Sequence, residues 1–208
     1  MLKILLRKYI TGALLMFCLV FPVTASAGLP LDTVKGYSDK VLEILRDPAL
    51  KPESAKQLRK DRLRAISEKM FDFTELSKRT LAQNWKNLNP AQQKEFVNLF
   101  KTLLGDTYAD KILAYTDEKI VFNKEVSLTE KTVEVQSTVI RKTAEVPINY
   151  RVILKDGVWR VYDVVVEGVS LTNNYRTQFR EILSNKPPES LLETLRKKVG
   201  KSEPGSKT

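Results

Sequence analysis

The sequence predicts an α+β fold in which helices precede and follow an antiparallel sheet. Apolar residues recur at every third or fourth position before about residue 116, alternate between about 118 and 167, and then return to the helical spacing. A contiguous block of alternating segments between helical blocks is typical of α+β proteins rather than parallel α/β proteins. We therefore expect one domain over residues 28–200, mainly helical over 28–116, a sheet over 117–168, and helical again over 170–199.

The first 27 residues have the three parts of a cleavable export signal. A basic head precedes an apolar stretch over residues 10–23, and Ala25 and Ala27 give the small-x-small pattern of a signal-peptidase site. The alternative, a transmembrane anchor, needs roughly 20 uninterrupted apolar residues, whereas Thr11, Gly12 and Pro22 interrupt this stretch. We predict export with cleavage before Gly28, which also removes Cys18.

Two helices are predicted at the start of the exported chain. The first covers residues 32–46 and ends at Asp47-Pro48, since proline cannot continue the helix. The second begins near Pro52 and runs to about Met70. We expect Leu58, Ile66 and Met70 to face inward from it, opposite a basic face.

Two more helices precede the sheet. Asp72 can cap a helix that runs through about Gln83. Asn89 then restarts the chain as an N-cap, with a proline in the first turn and Gln92 at the third position of a capping box. We expect Gly105 to interrupt this last helix.

Four antiparallel strands are predicted between about residues 118 and 167, where apolar and polar residues alternate. Asp156-Gly157 between the last two strands is a strong signal for a tight hairpin. A curved sheet with helices over its concave face leaves a pocket lined by Val, Leu, Tyr and Phe. After the sheet, Thr172 begins one helix and Pro187-Pro188 a second, and residues 201–208 are expected to form a disordered tail.

The residue types present exclude several kinds of active site. The chain has 35 basic and 25 acidic residues, no His and one Cys, and loss of the leader lowers the net charge from +10 to +7 and removes the Cys. Zinc sites built on Cys or His, Ser-His or Cys-His dyads and disulfides are therefore excluded. We expect no metal and no cofactor, although carboxylate chemistry remains available.

Two flanking segments carry the excess positive charge, residues 46–69 with eight bases against four acids and residues 186–208 with six against three. One interpretation is a solvated helix face. The other is a docking surface for anionic lipid headgroups or an acidic partner, with Arg59, Arg62 and Arg64 as its candidates. We expect no nucleic-acid partner, because aromatic and basic residues do not interleave as single-strand binding requires.

Catalytic motifs are absent from the exported sequence. It has no glycine-rich phosphate loop and no Gly-x-Ser-x-Gly turn. Asp163, between Tyr162 and apolar valines, is the best candidate general base, but a structural carboxylate near the end of a strand is the favoured interpretation. An apolar pocket without catalytic machinery indicates a carrier rather than an enzyme.

An ordered set of residues in both halves of the chain resembles a known family. In the C-terminal half the set is Trp159, Tyr162-Asp163-Val164, Glu167-Gly168-Val169-Ser170-Leu171, Asn174-Tyr175-Arg176 and Gln178-Phe179. In the helical half it is Asp72-Phe73, Trp85, Pro90-Ala91-Gln92-Gln93 and Glu95-Phe96. The chain resembles the MlaC-type family, also called the toluene-tolerance family, over most of residues 30–198. Ala82-Gln83 departs from the Leu-Gly pair of many relatives.

The resemblance implies a periplasmic phospholipid-binding carrier with an NTF2-like sheet under a helical cover. Such proteins hold acyl chains in a deep apolar pocket, leave the headgroup at its mouth, and help to maintain outer-membrane lipid asymmetry. The implied partners are a phospholipid, an inner-membrane ABC transporter complex and an outer-membrane lipoprotein complex, with transient contact to membrane surfaces. Some relatives are associated with hopanoids, so a hopanoid is the alternative cargo.

The acyl pocket that the resemblance implies has candidates on both the helices and the sheet. They are Phe100, Leu104, Tyr108 and Ile112 from the helices, and Val135, Val139, Tyr150, Val152, Val161 and Val164 from the sheet. Each residue has ordinary core packing as its alternative. We place Ser170 and Arg176 near the mouth, where Arg176 meets the phosphate or else pairs with Asp163 or Glu167. The competing functions are a carboxylate-driven enzyme and a periplasmic adaptor or chaperone that binds apolar peptide.

Overall fold

The computed structural model describes residues 29–114 and 118–200, so the predicted leader, its cleavage site and the predicted tail lie outside the described residues. The helices in this part of the chain are α1 (Pro30–Arg46), α2 (Lys56–Met70), α3 (Phe73–Leu81), α4 (Pro90–Leu113), α5 (Leu171–Leu183) and α6 (Pro188–Gly200). Short 3-10 helices cover Pro48–Leu50, Glu53–Ala55 and Ala82–Asn87. The strands are β1 (Lys119–Thr129), β2 (Thr132–Ile140), β3 (Glu145–Lys155), β4 (Val158–Val166) and β5 (Val169–Ser170).

The strands form one open antiparallel sheet in the order β1-β2-β3-β4-β5, which confirms the predicted α+β class. The four predicted strands are present, and β5 adds a two-residue pair at the edge of β4. The turn between β3 and β4 has positive φ angles at both Asp156 (52°) and Gly157 (75°). Two positive φ angles define the tight turn that matches the twist of the flanking strands, so the predicted hairpin is confirmed.

Helix α4 begins with the predicted capping box. The Asn89 side chain accepts from the Gln92 amide at 3.0 Å, and the Gln92 side chain accepts from the Asn89 amide at 3.1 Å. The helix then continues through Gly105 to Leu113, so the predicted interruption is wrong. Glycine disfavours a helix by only about 1 kcal/mol relative to alanine, and buried Leu104 and half-buried Tyr108 on either side pack against other helices.

Helix α2 presents a different face to the core than the sequence suggested. Leu58 is 49% exposed, so its predicted inward position is wrong, whereas Ile66 is half-buried and Met70 is buried. The residues that point inward begin at Arg59, next to Leu58, and recur every three or four residues along the helix. We call Arg59, Leu63, Ile66 and Met70 the inward stripe of α2; the first three are half-buried.

The buried apolar residues form two separate cores. The helical core joins α3, α4, α5 and α6 through Leu76, Leu81, Leu88, Phe96, Phe100, Leu104, Tyr175, Phe179, Leu191, Leu192 and Leu195. The sheet core joins α1 and the end of α2 to the sheet through Val34, Met70, Val135, Val152 and Val161. Phe71 packs against both cores, so it links the helical part of the molecule to the sheet.

The two faces of the sheet differ in chemistry. Strand register places Val135, Tyr150 and Val164 side by side on the face that α1 covers, which we call the apolar face. It places Glu134, Arg151 and Asp163 side by side on the opposite, polar face. Because side chains alternate along a strand, each strand contributes to both faces.

Asp72 ties the start of α3 to the sheet. Its amide donates to the Val161 carbonyl at 2.9 Å, and its buried carboxylate accepts from the Glu75 amide at 2.9 Å and from Lys155 Nζ at 3.0 Å. Burial by itself raises the pKa of Asp72, but the hydrogen bonds from Glu75 and then Lys155 outweigh burial, and the pKa lies below its usual value.

We expect this junction to weaken in acid. Because the folded pKa of Asp72 is below the unfolded value of about 3.9, its carboxylate contributes its full stability above that pH. The contribution is lost as the pH falls through the lowered folded pKa. Urea titrations of wild type and Asp72→Asn over a pH series should therefore show unfolding free energies that differ at neutral pH and converge in acid. A difference that does not change with pH contradicts the prediction.

Candidate functional site

The apolar face is covered least at one end of the sheet. The start of β1, the end of β2, the start of β3 and the end of β4 all lie at this end, because consecutive strands are antiparallel. Here Val146 and Ile148 are half-buried, as is Val164 further along β4, and Val166 is 39% exposed. We call this region the open end. A run of apolar side chains that reaches solvent is a candidate binding surface.

Three helix ends surround the open end. Arg46, the last residue of α1, donates to the Glu118 carbonyl just before β1. The α2 residues Lys60 and Arg62 pair with Asp110 near the end of α4 at 3.2 Å and with Asp47 just after α1 at 3.9 Å. The C-termini of α1 and α4 and the N-terminal half of α2 are thereby held together beside the open end.

The six candidates from the sheet lie together on the apolar face. Val135, Val152 and Val161 are fully buried in the sheet core, and Tyr150 and Val164 pack against them. Val139 is also buried and pairs with Val146 at the open end. The apolar face is therefore closed core where α1 and the end of α2 cover it, and it continues as half-buried apolar side chains at the open end.

The four helix candidates lie elsewhere. Phe100 and Leu104 are buried in the helical core, where the Phe100 ring is 5.0 Å from the Tyr175 ring and 5.3 Å from the Phe179 ring. Tyr108 packs against the same core, and Ile112 is 42% exposed. The structure does not join this set to the sheet set in one core. Only the end of α4, with Ile112, approaches the open end, through the contact of Asp110 with Lys60.

Tyr150 supplies a polar group within the apolar face. Its hydroxyl bonds to Ser38, a buried residue of α1. Burial raises the pKa of Tyr150, and the bond to Ser38 opposes this only in part. The phenol therefore stays neutral at neutral pH, and its bond to Ser38 helps Val34 to fix α1 over the sheet. Ser38 was not among the residues predicted for the site, although its place on the apolar side of an amphipathic helix was a usable signal.

Asp163 has the environment of a structural carboxylate. It is 1% exposed, accepts from Ser170 Oγ at 2.6 Å and from the Thr172 amide at 2.9 Å, and pairs with Arg151 at 3.2 Å. Its hydrogen-bonding positions are thus used within the protein, on the polar face and away from the apolar face. This geometry supports the structural interpretation rather than the general base.

Ser170 and Arg176 also have internal partners. Ser170 is buried and caps α5 by accepting from the Asn173 amide at 3.1 Å. Arg176 donates from Nε and from a terminal nitrogen to the Arg79 carbonyl at 3.0 and 2.6 Å. The guanidinium therefore ties α5 to the end of α3 and does not pair with Asp163, whose partners are others.

The three candidate docking residues of α2 differ in exposure. Arg62 is exposed and pairs with Asp47, and Arg64 is exposed. Arg59 instead belongs to the inward stripe and is half-buried. At 3.6 residues per turn, Arg64 lies about 140° around the helix from Arg59. The spacing of Arg59 from Met70 was a signal in the sequence that could have separated it from the other two.

A cavity lies at the end of the sheet opposite the open end. It has a volume of about 320 Å³ between the start of α3 and the β3–β4 hairpin, and its lining includes Asp72, Lys155 and Arg160 beside Phe71 and Phe73. These charged side chains do not suit an alkyl chain. Within residues 29–114 and 118–200, no helix is long and apolar enough to cross a membrane, and no group of three potential metal ligands occurs.

Known proteins share this sequence pattern and fold. The Toluene tolerance protein ttg2D of Pseudomonas putida is 26% identical over 173 residues, which are 82% of this chain and 80% of that protein. The Intermembrane phospholipid transport system binding protein MlaC of Haemophilus influenzae is 25% identical over 119 residues, 55% of this chain and 56% of that protein. A phospholipid-binding protein from Ralstonia solanacearum, solved in complex with a phospholipid, has a TM-score of 0.73 and 25% identity, and covers 83% of this chain and 98% of its own. The sequence model of the MlaC protein family matches residues 35–197, so this chain belongs to the MlaC protein family.

Proposed function

We propose that this protein is a phospholipid carrier that binds acyl chains on the apolar face of the sheet and leaves the headgroup at the open end. The observation that carries the proposal is the apolar face, which is closed core around Val135 and continues as half-buried apolar side chains at the open end. It is supported by the family match and by the fold shared with a protein solved with a phospholipid.

The physical need for such a surface is large. Burial of apolar surface contributes about 0.8 kcal/mol per methylene, so a lipid with roughly 30 methylenes costs on the order of 25 kcal/mol to hold in water. A protein that carries this lipid through water must replace the bilayer with a comparable apolar surface. Nonspecific contact with valines and a tyrosine also permits release, because few directional bonds have to break.

The wider role that we propose is transport between membranes. The protein is exported to the periplasm after cleavage before Gly28 and moves phospholipid between the outer and inner membranes, which maintains outer-membrane lipid asymmetry. Its partners in this role are an inner-membrane ABC transporter complex and an outer-membrane lipoprotein complex. Supporting this is the similarity to a relative named as a binding protein of an intermembrane phospholipid transport system.

Protein purified without detergent should contain a two-chain phospholipid at a defined molar ratio, because the apolar surface is costly to leave in water. Solvent extraction followed by mass spectrometry measures the lipid and its ratio to protein. Recovery of a hopanoid would change the cargo and keep the carrier. An empty protein that binds unfolded polypeptide would support the chaperone alternative and contradict this proposal.

A further inference from the structure

Arg59 is the charged residue of the inward stripe, whose other three members are apolar. Its Nε is shielded from solvent and has no hydrogen-bond partner in the part of the chain that the structure describes. Its position on α2 is in line with Leu63, Ile66 and Met70, the last of which lies in the sheet core. A cationic donor is thus held on the face of α2 that points toward the apolar residues.

Three neighbouring cations of α2, unlike Arg59, each pair with an acidic residue. Lys56 pairs with Glu53 at 2.9 Å, Lys60 with Asp110 at 3.2 Å and Arg62 with Asp47 at 3.9 Å. No ion pair involves Arg59 among residues 29–114 and 118–200, and Lys56, another cation, lies near enough to feel its charge. A shielded donor without an acceptor is costly, and an anion that accepts from Arg59 would remove that cost.

The position of Arg59 fits the geometry of a lipid. Arg59 lies in the N-terminal half of α2, beside the open end, next to the two ion pairs of Lys60 and Arg62. Met70 lies eleven residues further on, about 16 Å along the helix axis at 1.5 Å per residue. One leaflet of hydrocarbon is about 15 Å thick, half of a bilayer core. The inward stripe therefore has a cation at one end and an apolar length that matches an acyl chain.

From this geometry we infer that Arg59 binds the phosphate of the carried phospholipid at the open end, an inference that rests on the function proposed above. The chemistry is that of a phosphate diester held by a guanidinium, whose planar set of donors matches two phosphate oxygens. Arg59 therefore makes the protein prefer a lipid with an anionic phosphate to one with the same chains and none. Arg64, which lies about 140° around the helix from Arg59, does not contribute to this preference.

The test compares two lipids with the same acyl chains, a phosphatidylglycerol and a diacylglycerol, for wild type and for Arg59→Gln. We expect Arg59→Gln to weaken phosphatidylglycerol binding about tenfold or more, as loss of a charge-assisted hydrogen bond does. Diacylglycerol binding should not change. Arg64→Gln, the matched control on an exposed position of the same helix, should bind both lipids as wild type does. Arg59→Lys should show an intermediate loss, because it keeps the charge without the planar donors.

Each other outcome has a distinct meaning. If Arg59→Gln binds phosphatidylglycerol as wild type does, or loses both lipids equally, the assignment is wrong while the carrier function stands. If inorganic phosphate binds wild type but not Arg59→Gln, and phosphatidylglycerol binding is equal in the two, the site takes a free anion and the headgroup assignment is overturned. If wild type binds neither lipid, both the assignment and the proposed function are overturned.

Discussion

Replacement of Asp163 by alanine is expected to lower the free energy of unfolding by about 3 kcal/mol. Removing one partner of a buried ion pair costs about 3–5 kcal/mol, and the hydroxyl of Ser170 and the amide of Thr172 also lose their acceptor. Arg151 keeps a second partner, Glu134 at 3.1 Å, which holds the loss at the lower end of that range. Urea unfolding at neutral pH measures the change.

Two further variants serve as controls for Asp163→Ala. Asp163→Asn keeps the shape and one acceptor oxygen, so it should lose less than alanine does. Asp39→Ala removes an exposed carboxylate that pairs with Lys35 and should change stability by no more than about 0.5 kcal/mol. A loss below about 1 kcal/mol for Asp163→Ala would show that the buried network is not structural and would reopen the question of a catalytic carboxylate.

Replacement of Val164 by aspartate is expected to abolish phospholipid binding. Val164 lies on the apolar face beside Tyr150 and is half-buried, so a carboxylate there meets solvent in the free protein. Bound acyl chains would remove that solvent, and an unpaired charge costs several kcal/mol to desolvate. We expect affinity to fall by more than a hundredfold, measured as phospholipid recovered per protein and by titration with a fluorescent phospholipid.

The control places the same charge on the other face of the sheet. Thr138 is half-buried on the polar face, where it bonds Asn123 at 3.1 Å. Thr138→Asp should keep its lipid, and circular dichroism should show that both variants are folded. A folded Val164→Asp protein that retains its phospholipid would place the acyl chains elsewhere, and the helical core around Phe100 would become the next region to test.

The local elements followed from local signals. The change of apolar period located the sheet, the capping residues located the start of α4, and Asp156-Gly157 located the hairpin. Each of these signals acts over a few residues, so neighbouring sequence contains the information. The interruption expected at Gly105 is the informative exception. A glycine weakens a helix slightly, and the packing of Leu104 and Tyr108 against other helices outweighs that weakness.

The positions of the candidate site residues were also predictable only where a local pattern specified them. Alternation identified Val135, Tyr150 and Val164 as one face of the sheet, and the structure groups them so. Phe100 has the same apolar character in the sequence, yet it packs with Tyr175 and Phe179 in the other core. Hydrophobicity alone does not tell two cores apart, because it has no direction and no preferred partner.

By itself the sequence determined the α+β class and the apolar face of the sheet. Only the tertiary structure decided that the Asp163 carboxylate, on the polar face, accepts hydrogen bonds from Ser170 and Thr172. It also decided that Arg59 points inward while Arg64 points to solvent. The physical reason is the range of the forces involved. Period and capping depend on residues a few positions apart, whereas burial and charge pairing depend on elements that the chain brings together from a hundred residues away.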